Sequence, residues 1–418
     1  MSPTSARGAG VTQPVAQYRG WAVVWLAGLG VVSHVGAAWA ANKAAPVPTN
    51  ATVRVAVVSL AQDERYATRR LEKAYPGHPG GRLSHAAQLA VSDTELALAS
   101  DNISLQLREV AVASAADLPA AFLKLKADKV AHWVLDLPEP LVAQAAQVAG
   151  TDALLFNASS SGDALRGKQC AAHLFHTFPS QAMQADALAQ YLAARNWRKA
   201  LVLQGSTDAD KALGEAWARA SKRYGIKYTT KPFKLSGDPR ERDLANPRLL
   251  TSDRDHDVVA VLDADGEFAR TVPYATQQPR PVVGSSGLMA LAWHAQWERN
   301  GGPQVSRRFR KLADRPMVGH DWAAWMAVRS VAAVLQAQPG ANVAQQAKLL
   351  RGGQVTVDGA KGPGLGFRAW DGQLRQPLFL SHVDGVIGTA PMDGVLHPTD
   401  VLDTLGVDEP ETTCKQRP

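Results

Sequence analysis

The feature that most limits the folds open to this chain is an alternation, run through twice, of short β-branched apolar segments with longer segments of helical periodicity. Residues 53–60, Val-Arg-Val-Ala-Val-Val-Ser-Leu, are nearly continuously apolar, the pattern of a strand buried on both faces of a parallel sheet. After a polar stretch, 61–79, the segment 82–99 sets Leu83, Ala86, Ala87, Ala90, Val91 and Leu98 largely on one helical face. A strand follows at 103–110, a helix at 118–127, a strand at 132–137, a helix at 141–149, a strand at 153–156 and a short strand at 173–177. The rhythm then restarts. A helix opens at Pro179-Ser180 and runs to about 196, followed by a strand at 199–204, a helix at 208–224, strands at 227–233 and 258–263, a helix at 267–275 and a strand at 281–284. Parallel strands need connections a helix long, so the expected class is α/β, with two lobes that are each a mostly parallel sheet covered by helices on both faces.

The rest of the chain is expected to return and finish both lobes. Gly301-Gly302-Pro303 opens a basic segment, an apolar helix at 321–336 goes back to the first lobe, and another helix spans 343–350. Residues 352–389 are rich in Gly and strand formers, with candidate strands at 355–357, 365–368 and 378–381. The expected organisation is 52–178 with 308–352 as lobe 1, 179–307 with 353–390 as lobe 2, and 391–418 as a C-terminal tail. Three hinge crossovers are expected near 177–180, 301–307 and 354–364.

The first forty residues read as a secretory signal peptide. Arg7 and Arg19 precede the apolar run 21–32, and Ala38-Trp39-Ala40 suits a signal peptidase. A dozen apolar residues are short for a bilayer span, although an uncleaved anchor is the alternative. Cleavage after Ala40 leaves 41–51 as a linker and places the mature chain outside the cytoplasm. In that oxidising compartment the two cysteines, Cys170 and Cys414, are expected to form a disulfide that pins the tail. The net charge of +7 is spread without a basic run, which gives no support to nucleic acid binding.

Catalytic patterns are poor. Gly284-Ser285-Ser286-Gly287 lacks a residue of the nucleophile elbow and reads as a tight turn. Gly362-Pro363-Gly364-Leu365-Gly366 lacks the lysine of a phosphate-binding loop and the third glycine of a dinucleotide fingerprint. Cys170, His173 and His176 have a compact spacing, but on a strand the two histidines face opposite ways. Residues 253–257 are acidic without the glycine and distal glutamate of a calcium loop. No catalytic residue, cofactor or metal site is expected.

In doubly wound sheets ligands bind outside the carboxyl ends of the strands. That rule nominates Asp63, Asp136, Asn157, Ser159, Ser160 and His176 in the first lobe, and Ser206, Asp263 and Ser285 in the second. Asn157-Ala158-Ser159-Ser160-Ser161 combines hydroxyls with backbone donors at a strand-to-helix turn, where ordinary helix capping is the alternative role. Trp322, at the start of the returning helix, is either a stacking surface for the ligand or a core aromatic.

With these features assembled, the chain resembles the type I periplasmic solute-binding proteins of branched-chain amino acid ABC transporters. More narrowly, it is similar to the substrate-binding-like proteins of PQQ-dependent alcohol dehydrogenase systems. The narrower likeness is carried by Tyr75-Pro76-Gly77 with Gly81-Arg82, Leu165-Arg166-Gly167 with Cys170, 176–180, 370–377, Leu396-His397 and 402–406. It implies a small-molecule solute bound between the lobes, an ABC permease as partner, and a PQQ-dependent dehydrogenase as a further one. The amino acid binders use hydroxyls at the position of Ser159 to Ser161, an aromatic after the first strand of the second lobe, and an acid for the ammonium. This chain keeps the hydroxyls, has Gln204-Gly205-Ser206-Thr207 in place of the aromatic, and offers Asp263 or Asp265 as the acid. A non-transport accessory or sensor of a quinoprotein dehydrogenase is the alternative role, and a cleft enzyme a more remote one.

Overall fold

The computed structural model describes residues 51–415, so the expected signal peptide and all of the expected linker but Ala51 lie outside the described residues. The first lobe is built on β1 (Ala51–Leu60), α1 (Thr68–Lys73), α2 (Ser84–Ala99), β2 (Ile103–Val112), α3 (Leu118–Ala127), β3 (His132–Asp136), α4 (Glu139–Ala149), β4 (Leu154–Asn157) and β5 (Leu174–His176). Its strands form one parallel sheet in the order β2-β1-β3-β4-β5. Alternation along the strands separates two cores. Val55, Val57, Val134 and Phe156 face α2 and the returning helices. Ala56, Val58, Trp133 and Leu135 face α3 and α4, where Trp133 stacks on Phe122 at 5.2 Å.

The second lobe holds α5 (Gln181–Ala194), β6 (Lys199–Gln204), α6 (Asp208–Tyr224), β7 (Lys227–Pro232), α7 (Pro247–Leu250), β8 (Val258–Leu262) and β9 (Val282–Gly284). Its parallel sheet has the order β7-β6-β8-β9. Local chemistry sets the ends of these helices. Thr207 and Asp210 close a capping box at the start of α6, and Gly225, at φ +67°, ends it in the left-handed region. Ser180 caps α5 by accepting from the Met183 N–H.

After β10 (Met289–Leu291) the chain forms α8 (Gly302–Ala313), α9 (Gly319–Ala337) and α10 (Val343–Arg351), with α8 and α9 packed on α2. Short strands β11 (Val357–Asp358) and β12 (Gly364–Leu365) pair with each other, and β13 (Leu378–His382) lies between β10 and β14 (Gly385–Ala390) in an antiparallel sheet.

Several expectations need correction. The polar stretch 61–79 contains α1. The basic segment after Gly301 is helical from Gly302: Val305 and Phe309, four residues apart, are buried while the cations between them stay in water. The helix expected at 267–275 is a 3₁₀ turn, Ala269–Tyr274, with Pro273 inside it, because proline removes an N–H that an α-helix needs. The strands expected at 355–357 and 365–368 shrink to two-residue pairings.

A buried polar network ties the segments that run between the two sheets. Arg166 donates to the Phe178 carbonyl at 2.8 Å and to Gln373 at 3.0 Å, while Gln373 donates to the carbonyls of His176 and Phe178. Gln376 donates to the Thr177 carbonyl at 2.9 Å. Arg368 and Arg375 converge on Asp403, which brings the tail back onto the body. Cys170 and Cys414 form the expected disulfide.

Candidate functional site

The loops that leave the carboxyl ends of β1, β4, β6, β8 and β9 face one another across a cleft of about 940 Å³. Ser159, Ser161, Phe178 and the first turns of α5 line it from one side of the β5 crossover, and Thr207, Leu213, Trp217, Asp263 and Ser285 line it from the second lobe. His320, in the first turn of α9, closes the back and stacks on Phe178 with ring centroids 4.2 Å apart.

The mouth is bridged. Arg70 on α1 pairs with Asp265 in the loop after β8, and its Nη2 also donates to the Asp265 carbonyl at 2.7 Å. Lys73 Nζ reaches both carboxylate oxygens of Glu267, at 2.8 and 2.9 Å, and the Tyr75 hydroxyl donates to the same group. Hydrogen bonds from Lys73 and Tyr75 hold the Glu267 carboxyl down at about 2. His78 lies against Gly266, where a β-carbon would come within 3.0 Å of its Nε2 and where φ is +80°. Burial, helped by the neighbouring Arg70, pushes the His78 imidazole down to about 4, so it is neutral at pH 7.

The residues nominated from strand ends divide into three groups. Ser159, Asp263 and Ser285 line the cleft. Asp63, Asp136, Asn157, Ser160 and His176 support its wall from behind. Asp136 accepts from the Tyr66 hydroxyl at 2.7 Å and from Arg65 at 3.1 Å, and Arg65 also pairs with Asp63 at 2.7 Å. Asn157 accepts the backbone N–H groups of Ser159 and Ser160, donates to the Ser160 carbonyl and meets His176 Nδ1 at 3.1 Å, which shapes the serine turn. Ser206 is exposed and off the cleft wall, where its neighbours Thr207 and Ala209 take the position expected for it.

Trp322 is a core residue. It is 0% exposed, donates its indole N–H to the Gly359 carbonyl at 2.9 Å, and carries Lys361 Nζ 3.6 Å above its ring. The α9 stripe buries this face, whereas His320, two positions earlier, reaches the cleft.

The acids suggested for an ammonium are both engaged. Asp263 accepts the backbone N–H groups of Asp265, Phe268 and Ala269, and Asp265 is held by Arg70. The cleft residues that strand ends do not mark include Arg65, Arg69, His78, Phe178, Leu213, Trp217 and His320. Leu213 and Trp217 are spaced four apart, a signal of a shared helical face that is indistinguishable from ordinary core. Among the described residues no group of three or more His, Cys, Asp or Glu side chains could hold a metal ion.

Solved structures share this architecture at low sequence identity. A leucine-, isoleucine-, valine-, threonine- and alanine-binding protein from Brucella ovis, in a closed conformation, matches with a TM-score of 0.66 at 12% identity, over 79% of this chain and 89% of that one. A periplasmic binding protein from Burkholderia mallei matches with a TM-score of 0.61 at 12% identity, over 87% of this chain and 98% of that one. An ABC transporter substrate-binding protein from Desulfitobacterium hafniense, in complex with Leu, matches with a TM-score of 0.60 at 15% identity, over 81% and 99%. No protein-family model and no curated protein matches the chain. The fold is therefore that of the type I periplasmic binding proteins: α/β, two-lobed, with two parallel sheets.

Proposed function

We propose that this chain is the periplasmic receptor of an ABC transporter, closing two lobes around a small solute and presenting it to a permease. The observation that carries this reading is the cleft itself: about 940 Å³, walled by strand-end loops of both parallel sheets, with Arg70–Asp265 and Lys73–Glu267 spanning its mouth. A cleft of that size suits a small organic ligand. Ion pairs that span it are contacts that a hinge opening would break and a bound ligand would help restore. The proposed role is non-catalytic, in keeping with the solute-binding proteins that share the fold. The likeness to binding proteins of the same fold supports the class of activity and leaves the ligand to the residues of this chain.

The finer association, with PQQ-dependent alcohol oxidation, rests on the sequence strings at 75–82, 165–180, 370–377 and 396–406. Two of these regions, 165–180 and 370–377, meet in the Arg166–Gln373–His176 network that holds the crossovers, while Phe178 of the first and residues 76–79 of the string at 75–82 line the cleft. They bear on how the lobes are joined and supply part of the cleft lining without naming a ligand.

The test is thermal unfolding of the mature protein against amino acids, carboxylic acids, alcohols and PQQ, followed by uptake assays in cells with and without the cognate permease. A ligand at a hundred times its Kd stabilises by about 2.7 kcal/mol. A selective shift together with permease-dependent uptake supports the receptor. A shift with a cellular role that survives loss of the permease moves the reading to a non-transport accessory.

A further inference from the structure

The walls of the cleft carry three carboxylates, Glu64, Asp263 and Asp265. Asp263 accepts three backbone N–H groups at 3.2, 3.0 and 2.8 Å, Asp265 is paired with Arg70, and Glu64 is exposed to water. A ligand ammonium desolvated in the cleft needs a buried acid that is free to receive it. Among the described cleft residues there is none.

The uncommitted polar groups are of another kind. His320 is 6% exposed, lines the cleft and hydrogen-bonds to no protein group. A buried imidazole without a partner in the protein is suited to one in a ligand. It stands in the first turn of the 19-residue α9, where backbone N–H groups lack carbonyl partners within the helix and the helix dipole favours negative charge. Burial, with Arg65, His78 and Arg315 nearby, keeps this imidazole neutral, so it contributes a hydrogen-bond donor without adding a charge. The Ser161 hydroxyl and the Arg69 guanidinium also face the cleft without a side-chain partner in the protein. Phe178, which stacks on His320, forms with Leu188, Leu213, Trp217, Leu262 and Met289 the apolar wall of the cleft. The volume of about 940 Å³ exceeds what a free aliphatic amino acid fills.

We propose that the cleft takes an apolar carboxylate without a charged amine, an aromatic or medium-chain aliphatic acid, with its carboxylate on His320 and the first turn of α9 and its body against Phe178, Leu213 and Trp217. The assignment rests on the reading of the cleft as a solute site. It parts from the amino acid binders because the acid that would hold an ammonium is used up in holding the loop after β8.

Isothermal titration of the mature protein with benzoate, phenylacetate and octanoate, against leucine, phenylalanine and benzyl alcohol, tests it. The expected result is saturable binding of at least one acid, with the amino acids and the alcohol at least about tenfold weaker, and a loss of about tenfold or more in His320→Ala. Leu213→Trp, which fills the apolar wall, should weaken the same acid, and it decides the matter if His320→Ala does not fold. Ser206→Ala, off the wall, should leave binding unchanged. Binding of leucine or phenylalanine without the acids overturns this proposal and leaves the receptor reading standing. Equal binding of benzyl alcohol and benzoate overturns the anionic class, and acid binding unchanged in both His320→Ala and Leu213→Trp overturns the placement. No binding of any probe by protein that is folded and free of copurified ligand overturns both this proposal and the receptor reading.

Discussion

Arg70 and Asp265, 195 positions apart in the sequence, meet across the mouth of the cleft, and the same arginine donates to the Asp265 carbonyl at 2.7 Å. Lys73 and Glu267 repeat the arrangement one helical turn further on. Both pairs are partly exposed, so each is worth about 0–1 kcal/mol and is weakened by salt.

Removing both acids, Asp265→Asn with Glu267→Gln, should therefore shift the lobes toward an open form without unfolding either. Small-angle X-ray scattering of the ligand-free double variant should show a larger radius of gyration than the parent protein. Raising the salt concentration should move the parent in the same direction. A radius unchanged by both treatments would show that the bridges do not set the opening.

His78 gives the protein an acid-side weakness. Its folded value of about 4 lies below the ordinary 6.5, so the unfolded chain takes up the proton first as pH falls. This contribution to stability is whole above pH 6.5 and is lost as pH drops toward 4. Arg70 and Asp265 are the charged groups that act on the imidazole, and Arg70 opposes its protonation. His78→Gln should narrow the difference in Tm between pH 7 and pH 5, as measured by calorimetry.

Glu267 has the opposite chemistry and loses its contribution at lower pH. Its folded value of about 2 lies below the ordinary 4.5, so its stabilising effect is present above 4.5 and fades as pH falls from there toward 2. Glu267→Gln should flatten that part of the stability profile and leave the interval from pH 5 to 7 as it was, by the same calorimetric readout.

Asp403 is 0% exposed and takes both Arg368 and Arg375. Asp403→Ala removes the buried carboxylate that the two guanidinium groups share, leaving Arg368 with Asp371 at 3.7 Å and Arg375 with Asp400 at 3.5 Å, and it should cost about 3–5 kcal/mol in denaturant unfolding. A loss below 1 kcal/mol would mean that the tail is not held there.

Trp322→Ala should cost about 3–5 kcal/mol through the cavity it leaves and the loss of the indole face on which the buried Lys361 amine sits. Trp322→Phe should retain most of the stability and leave ligand selectivity unaltered. A change of selectivity in Trp322→Phe would return this residue to the cleft.

Much of the fold was legible because its signals are local. The segment 208–224 reads as a helix from its own residues, and Thr207, Asp210 and Gly225 form the very caps that bound α6. Buried strands such as 199–204 announce themselves by composition. The misses have physical reasons too. In α8 two apolar residues among many cations carry the whole buried stripe. β10 and β14 exist through pairing with β13, a partner their own residues do not specify. For the cleft, the strand-end rule names Ser159, Asp263 and Ser285, which line it, but does not tell which acids are free, because Asp263 is spent on N–H groups of the following turn. His320 was hidden because its place depends on where a helix from late in the chain returns.

The disulfide makes a covalent ring of the chain from Cys170 to Cys414, two residues 244 positions apart. All of the second lobe and the three returning helices belong to that ring. A single cut by a protease in the exposed stretch 235–245 therefore opens the ring without releasing a fragment, and the two pieces should run as one species on a gel until a reductant is added. Damage at one surface loop leaves both halves of the cleft tethered to each other and able to find each other again.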